Sequence, residues 1–191
     1  MLEKYGFRLV STDGNIEFYR RWSIDRSNYI TITRTKSFDR IDADVNGEYN
    51  IFGVNETALN SICKQIFGFG KAKVVVIDFD GTITKESKYP DIGSIRKDTA
   101  FYLNKMYFEG FYVIINTARE GNDLKAAEAF LMRHKVKYDI VNDNAPFKVE
   151  EFGNNCRKVT GDVIIDDKNL GNLPEEWSTI YRAILNQLIT Q

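Results

Sequence analysis

The chain has 191 residues, a formal net charge of −1 and a composition that is 43% hydrophobic and 28% charged. Those fractions suit an ordinary folded protein with enough apolar material for a real core, in one medium domain or two small ones. A near-neutral balance gives no global reason to expect a nucleic-acid or membrane partner.

No stretch is long enough to span a bilayer, and Met1 to Gly6 has no apolar signal core. Cys63 and Cys156 lie far apart and fit reduced thiols better than a disulfide framework. A cytoplasmic protein is the expectation.

Residues 1–70 read as short strands separated by turns, closed by one helix. Phe7 to Val10, Ile16 to Trp22, Tyr29 to Arg34, Phe38 to Val45 and Glu48 to Phe52 are the expected strands. Asn46-Gly47 between the last two is a two-residue hairpin signal. Asn55 can cap a helix whose apolar positions are Leu59, Ile62, Cys63, Ile66 and Phe67, with Gly68 and Gly70 at its end. The expected unit is a small antiparallel sheet carrying one helix, of unknown role.

Tyr19, Arg20, Arg21, Trp22, Arg26, Tyr29, Arg34, Lys36 and Arg40 raise a single-strand-binding reading, since aromatic rings and cations on a sheet can hold unpaired bases. Glu17, Asp25, Asp39, Asp42, Asp44 and Glu48 dilute that charge. Core aromatics with solvated cations account for the same pattern, and that reading is preferred.

From Lys71 the pattern changes to alternating strands and helices, which predicts a parallel sheet over 71–191. Val74 to Ile77 are four β-branched apolar residues in a row, a strand buried on both faces. It runs into Asp78 and Asp80, whose spacing of two projects both carboxylates to one side. Paired carboxylates repel unless a cation lies between them. A solvated Asp-Gly turn explains poorly an acidic pair at the end of a fully apolar strand, so a metal-linked site is preferred.

A helix is expected over 94–109, with Ile95, Tyr102, Leu103 and Met106 as core contacts and Gly110 as its stop. Phe111 to Ile115 is a second buried strand, ending in Asn116-Thr-Ala-Arg119. A helix over 123–134, a short strand over 138–141, a strand within 162–167 and a closing helix over 176–189 follow. Ligands of open parallel sheets bind beyond the carboxyl ends of the strands. Here those ends supply Asp78 and Asp80, then Thr117, then Asp166 and Asp167, with Arg157-Lys158 just before the last strand. Acids for a cation, a hydroxyl and a lysine for an anion together suggest phosphoryl chemistry.

Asp78-Phe-Asp-Gly-Thr-Ile-Thr84, Thr117, Lys158 and Asp166-Asp167 resemble, in order, the four motifs of the haloacid-dehalogenase-like phosphatase superfamily, over about 71–191. Tyr89-Pro-Asp-Ile-Gly93, Ala118-Arg-Glu-Gly121, Arg157-Lys158 and Ile165 to Gly171 are similar to a small group of minimal, uncapped bacterial and phage hydrolases. The resemblance implies an α/β fold with a Rossmann-like parallel sheet and helices on both faces. It also implies a Mg²⁺-dependent phosphomonoester hydrolase working through an aspartyl-phosphate.

Asp78 would then be the nucleophile, and Asp80 the acid for the leaving group and the base for water. Thr117 and Lys158 would hold the phosphoryl oxygens. Mg²⁺ would lie among Asp78, the Asp80 main-chain carbonyl and Asp166, with Asp167 supporting them from behind or serving as an alternative ligand. Lys148, after a strand end and Pro146, competes with Lys158 for the anion. Arg119 suits either substrate binding or a surface ion pair, and His134 a structural or solvated place.

The intervals between motifs hold no cap, so an open site taking a small phosphorylated molecule or a nucleic-acid end is expected, in a chain able to form a homo-oligomer. The N-terminal sheet or a second subunit could cover that site. The alternative function is a non-catalytic binding module of the same fold, with the N-terminal sheet engaging a partner or nucleic acid.

Overall fold

The computed structural model describes residues 2–169 and 171–189. The chain divides into two compact units, residues 1–72 with 108–111, and residues 73–107 with 112–191.

In the first unit, β1 (Arg8–Asp13), β2 (Ile16–Trp22), β3 (Tyr29–Thr35), β4 (Arg40–Val45) and β5 (Tyr49–Ile51) form an antiparallel sheet in chain order. Strand β4 starts two residues later than its apolar pattern suggests. Lys36–Phe38 make a 3₁₀ turn, and Asp39 at φ 45° breaks the extended run. The Asn46-Gly47 pair does turn the chain, both residues at positive φ. Val45 pairs directly with Tyr49, however, so Glu48 joins them in a three-residue loop rather than the two-residue one expected.

Helix α1 (Glu56–Phe67) starts at Asn55, whose side chain accepts the Ala58 N–H at 2.9 Å, and stops at Gly68 in the left-handed region. It buries Leu59, Cys63 and Phe67 against Ile30, Ile32, Ile41 and Ala43 of the sheet.

Several cations of this unit are paired within it. Arg21 is fully buried, donates to the carbonyls of Tyr5 (2.8 Å) and Gly70 (3.0 Å), and lies 4.1 Å from the Phe67 ring centre. Burial pushes its guanidinium down to about 10. Lys36 and Arg34 meet Glu17, Arg34 also meets Asp39, and Arg40 meets Asp42. Buried Arg21 departs from the solvated-cation reading, and Tyr19, Trp22 and Tyr29 are half-buried rather than core residues.

The second unit holds a parallel four-stranded sheet made of β6 (Val74–Asp78), β9 (Tyr112–Asn116), β10 (Ile140–Val141) and β11 (Val163–Ile165), in the order β10-β9-β6-β11. A small antiparallel pair, β7 (Thr84–Lys85) and β8 (Ser94–Ile95), lies between β6 and β9 in sequence. The helices are α2 (Thr99–Phe108), α3 (Gly121–Arg133), α4 (Pro146–Phe152) and α5 (Trp177–Ile189). The unit is an α/β fold.

From β6 the chain moves one way to β9 and β10, then returns to the other side of β6 for β11. Interior strand β6 therefore sits where the winding reverses, the place at which open α/β sheets take their ligands.

Two helices differ from their sequence patterns. The helix expected from Ser94 begins at Thr99, because Asp98 adopts φ 61° and Ser94–Ile95 are used as strand β8. Leu103 and Met106 are buried as expected, while Ile95 and Tyr102 are half-buried. Helix α4 was not anticipated; at seven residues with Pro146 in its first turn, its periodicity is too short to register. Among the described residues no helix is long and apolar enough to cross a membrane. Both cysteines are free thiols, Cys63 buried and Cys156 exposed.

Candidate active site

The parallel register sets the ends of three strands level. Ile77 pairs with Ile115 on one side and Ile165 on the other, and Asp78 pairs with Asn116. Asp166 is the next residue after Ile165, so it leaves the sheet beside Asp78. Carboxylate oxygens of Asp78, Asp166 and Asp167 all lie within 4.8 Å of one another, each side chain half-buried.

After Asp78 the chain folds back at once through buried Phe79, Thr82 and Ile83. Gly81 takes φ 88°, which L side chains rarely adopt, and a Cβ there would lie 2.6 Å from the Asp167 Cγ. The glycine is needed twice over, for the turn and for the approach of Asp167. Gly81→Ala should cost about 2 kcal/mol from positive φ and crowding together. Thermal unfolding of the two proteins side by side checks this, and equal melting temperatures would contradict the packing described.

Thr82 ties the two acidic segments together. Its Oγ1 accepts the Asp167 N–H at 2.9 Å. Burial pushes the Asp78 carboxyl up to about 7, and the negative charges of Asp166 and Asp167 push the same way, while hydrogen bonds from Thr82 and the Phe79 N–H oppose them. The Asp78 Oδ2 and Asp167 Oδ1 are buried with no hydrogen-bond partner. Buried, unpartnered carboxylate oxygens cost free energy unless something positive meets them. Asp166 Oδ1 accepts the Lys168 N–H at 2.7 Å, and the exposed Lys168 Nζ lies 2.7 Å from Asp167 Oδ2.

Asp80 is not brought into this cluster by its side chain. Its carboxylate is gripped at two points by Arg119, Nε to Oδ2 at 2.8 Å and Nη2 to Oδ1 at 2.9 Å. Arg119 is 2% exposed and also donates to the carbonyls of Pro90 (2.7 Å) and Asp91 (3.1 Å). Its guanidinium lies 5.5 Å from the Tyr89 ring centre, and the Tyr89 hydroxyl donates to Asp123 at 2.6 Å. Hydrogen bonding to Asp80 raises the Arg119 pKa further. Neither reading of Arg119 from sequence, substrate ligand or surface ion pair, anticipates this buried clamp.

Thr117 is buried one residue past Asn116. Its N–H is held by Asn142 Oδ1 at 2.7 Å, and its Oγ1 accepts the Arg119 N–H at 3.2 Å. Lys158 is exposed in the loop before β11; it forms no hydrogen bond or ion pair with the three acids, and its carbonyl accepts from Asn144. Lys148 lies on α4, ion-paired with Glu151 at 3.5 Å and 5.9 Å from the Phe152 ring centre. The structure therefore brings neither lysine to the acids, and the cation beside them is Lys168. His134 packs 4.4 Å from the Phe130 ring at the end of α3.

No family model matches the chain, and no curated protein does. Among solved structures it is similar to a conserved protein coded by a locus of Bacteroides thetaiotaomicron, with 31% identity and a TM-score of 0.54, over 61% of this chain and 92% of that one. The chain belongs to the family of that Bacteroides protein.

With this relative the chain shares sequence and fold, so the chemistry rests on the residues described. Sequence reasoning missed Thr82, although it lies inside the acidic stretch, because a hydroxyl between two carboxylate segments has no periodic signature. Arg96 was missed too. It is buried and donates to the carbonyls of Thr82, Pro174 and Glu175, fixing the turn after β6 from behind. An arginine in an expected helix carried no such signal. Leu170, in the motif ending at Gly171, lies outside the described residues.

Proposed function

We propose that this protein is a Mg²⁺-dependent phosphomonoester hydrolase of the haloacid-dehalogenase-like kind, working through an aspartyl-phosphate on Asp78. The observation that carries the proposal is the triad of Asp78, Asp166 and Asp167, with two buried oxygens unpartnered, at the carboxyl end of β6. A small hard cation fits such an all-oxygen set. Asp78, Asp166 and Asp167 would hold it, joined by the Asp80 main-chain carbonyl that the family pattern implies. The cation would neutralise the carboxylates and the incoming phosphoryl charge.

The side chains supply the rest. Asp78 attacks phosphorus and its oxygen forms the new P–O bond as the ester oxygen leaves. Asp80 protonates that leaving oxygen, then takes a proton from the water that cleaves the acyl phosphate. Thr117, fixed by Asn142, offers its hydroxyl to the phosphoryl oxygens. Lys158 would need its exposed loop to close to reach them, whereas Lys168 already stands at the acids.

The function is tested by phosphate release from sugar phosphates, nucleotides and 3′-phosphorylated oligonucleotides, in Mg²⁺ and in chelator. No release from any ester would overturn it. Cation binding is tested separately. At a Mg²⁺ concentration about 100 times its dissociation constant the protein should gain about 2.7 kcal/mol, roughly 5–10 °C in melting temperature. Asp166→Ala should lose most of that gain. An equal Mg²⁺ response in both proteins would exclude the triad as the site.

A further inference from the structure

Arg119 presents almost no surface to a substrate. At 2% exposure it has one side on the Asp80 carboxylate and the other on the Pro90 and Asp91 carbonyls. A two-point fork fixes both the place and the plane of a carboxylate, which a single contact cannot do. We infer that Arg119 is a positioning residue that aims the Asp80 carboxyl at the leaving-group oxygen and locks that aim to the Tyr89–Asp91 loop, an inference that rests on the phosphatase reading above.

The step it governs is the first one. Asp80 first takes a proton from solvent on an oxygen lone pair outside the fork. As the Asp78 oxygen bonds to phosphorus and the P–O bond to the leaving group breaks, that proton passes to the departing oxygen. The electron pair of the broken bond stays on that oxygen, and the carboxylate left on Asp80 faces the guanidinium already paired with it. The loop belongs to the same device. The Tyr89 ring stacks over Arg119 while its hydroxyl is tied to Asp123 near the start of α3. The ring is otherwise 71% exposed. The group that aims the acid is thus held by an exposed loop.

A residue that acts through general-acid aim has a readout that a merely structural residue lacks. Departure of p-nitrophenolate needs little help from a proton, and departure of phenolate needs more, so the two esters separate acid aim from everything else. The ratio kcat/KM reports events up to that departure. In Arg119→Lys, which keeps the charge and loses the fork, kcat/KM for phenyl phosphate should fall about 100-fold, within the range that positioned acids supply. For p-nitrophenyl phosphate it should fall less than about tenfold. Arg119→Gln, neutral but able to hydrogen-bond the loop carbonyls, should give the same split and serves if the lysine variant does not fold.

Placing either substitution in an Asp80→Asn background should add little, because the partner it acts through is gone. Equal losses on both esters, or full additivity with Asp80→Asn, would overturn the positioning role while leaving the phosphatase reading intact. A parent protein that releases phosphate from neither ester overturns the phosphatase reading and the positioning role with it.

Discussion

Asp78→Asn is expected to abolish phosphoester hydrolysis and, at the same time, to make the cation-free protein more stable. The amide is nearly isosteric but cannot attack phosphorus, so turnover should fall by at least about 1,000-fold, as when other covalent nucleophiles are removed. The stability gain has a separate cause. Burial, together with the charges of Asp166 and Asp167, pushes the Asp78 carboxyl up to about 7.

A carboxyl raised above its unfolded value near 4 holds its proton more tightly in the folded chain. Its contribution is complete below about pH 4 and is lost as pH rises towards 7. Asn carries no such charge. The melting temperatures of parent and variant in chelator should therefore be close near pH 4.5 and diverge by pH 8, the variant being higher. Each kcal/mol of relieved repulsion is worth about 2–4 °C in a chain of this length. Mg²⁺ should narrow the gap by stabilising the parent alone. A variant that melts below the parent in chelator at pH 8 would show that the three acids are not in conflict.

The second large effect lies in the first unit. Gly6→Ala should unfold it partly or wholly, since Gly6 takes φ 74° and a methyl group there would run into the carbonyl and Cα of Gly110. Both obstacles are backbone and cannot swing away. Positive φ costs an alanine about 1 kcal/mol and overpacking about 1–3 more, so a loss of about 2–4 kcal/mol is expected. Gly14→Ala is the control: φ is 54° there, and no atom lies within 4 Å of the added carbon. It should cost only the backbone part, about 1 kcal/mol. Melting curves of the two variants isolate the collision, and equal shifts would refute it.

Apart from β7 and β8, the strands of both units were legible because their apolar residues are local and repeated. Val74 to Ile77 and Tyr112 to Ile115 could be read as buried without knowing their neighbours. The register that brings Asp166 beside Asp78 was not legible, because it depends on strands nearly ninety residues apart in the chain. Asp78, Asp166 and Asp167 could still be named, since acids at strand ends stand out against apolar runs. Arg119 and Lys168 show the limit. Both are ordinary cations in sequence, and what distinguishes them is burial in one case and a 2.7 Å approach to Asp167 in the other. Helix α2 failed at its start for a related reason: a left-handed Asp98 leaves no mark on helical periodicity.

Residues 108–111 belong to the first unit although 73–107 and 112–191 make up the second. Phe111 is fully buried with its ring 5.5 Å from that of Phe69, and its carbonyl accepts from Arg8 at 2.6 Å. The first unit is therefore discontinuous in sequence. A fragment beginning near Phe69 or Lys73 keeps every acid of the site, yet strands Phe111 and Gly110 without the residues that enclose them. Shuffling or fusing genes at the obvious joint would inherit the same wound. Modularity stops short of this chain, whose second half carries a four-residue piece of the first stitched between a helix and the strand that leads to Thr117.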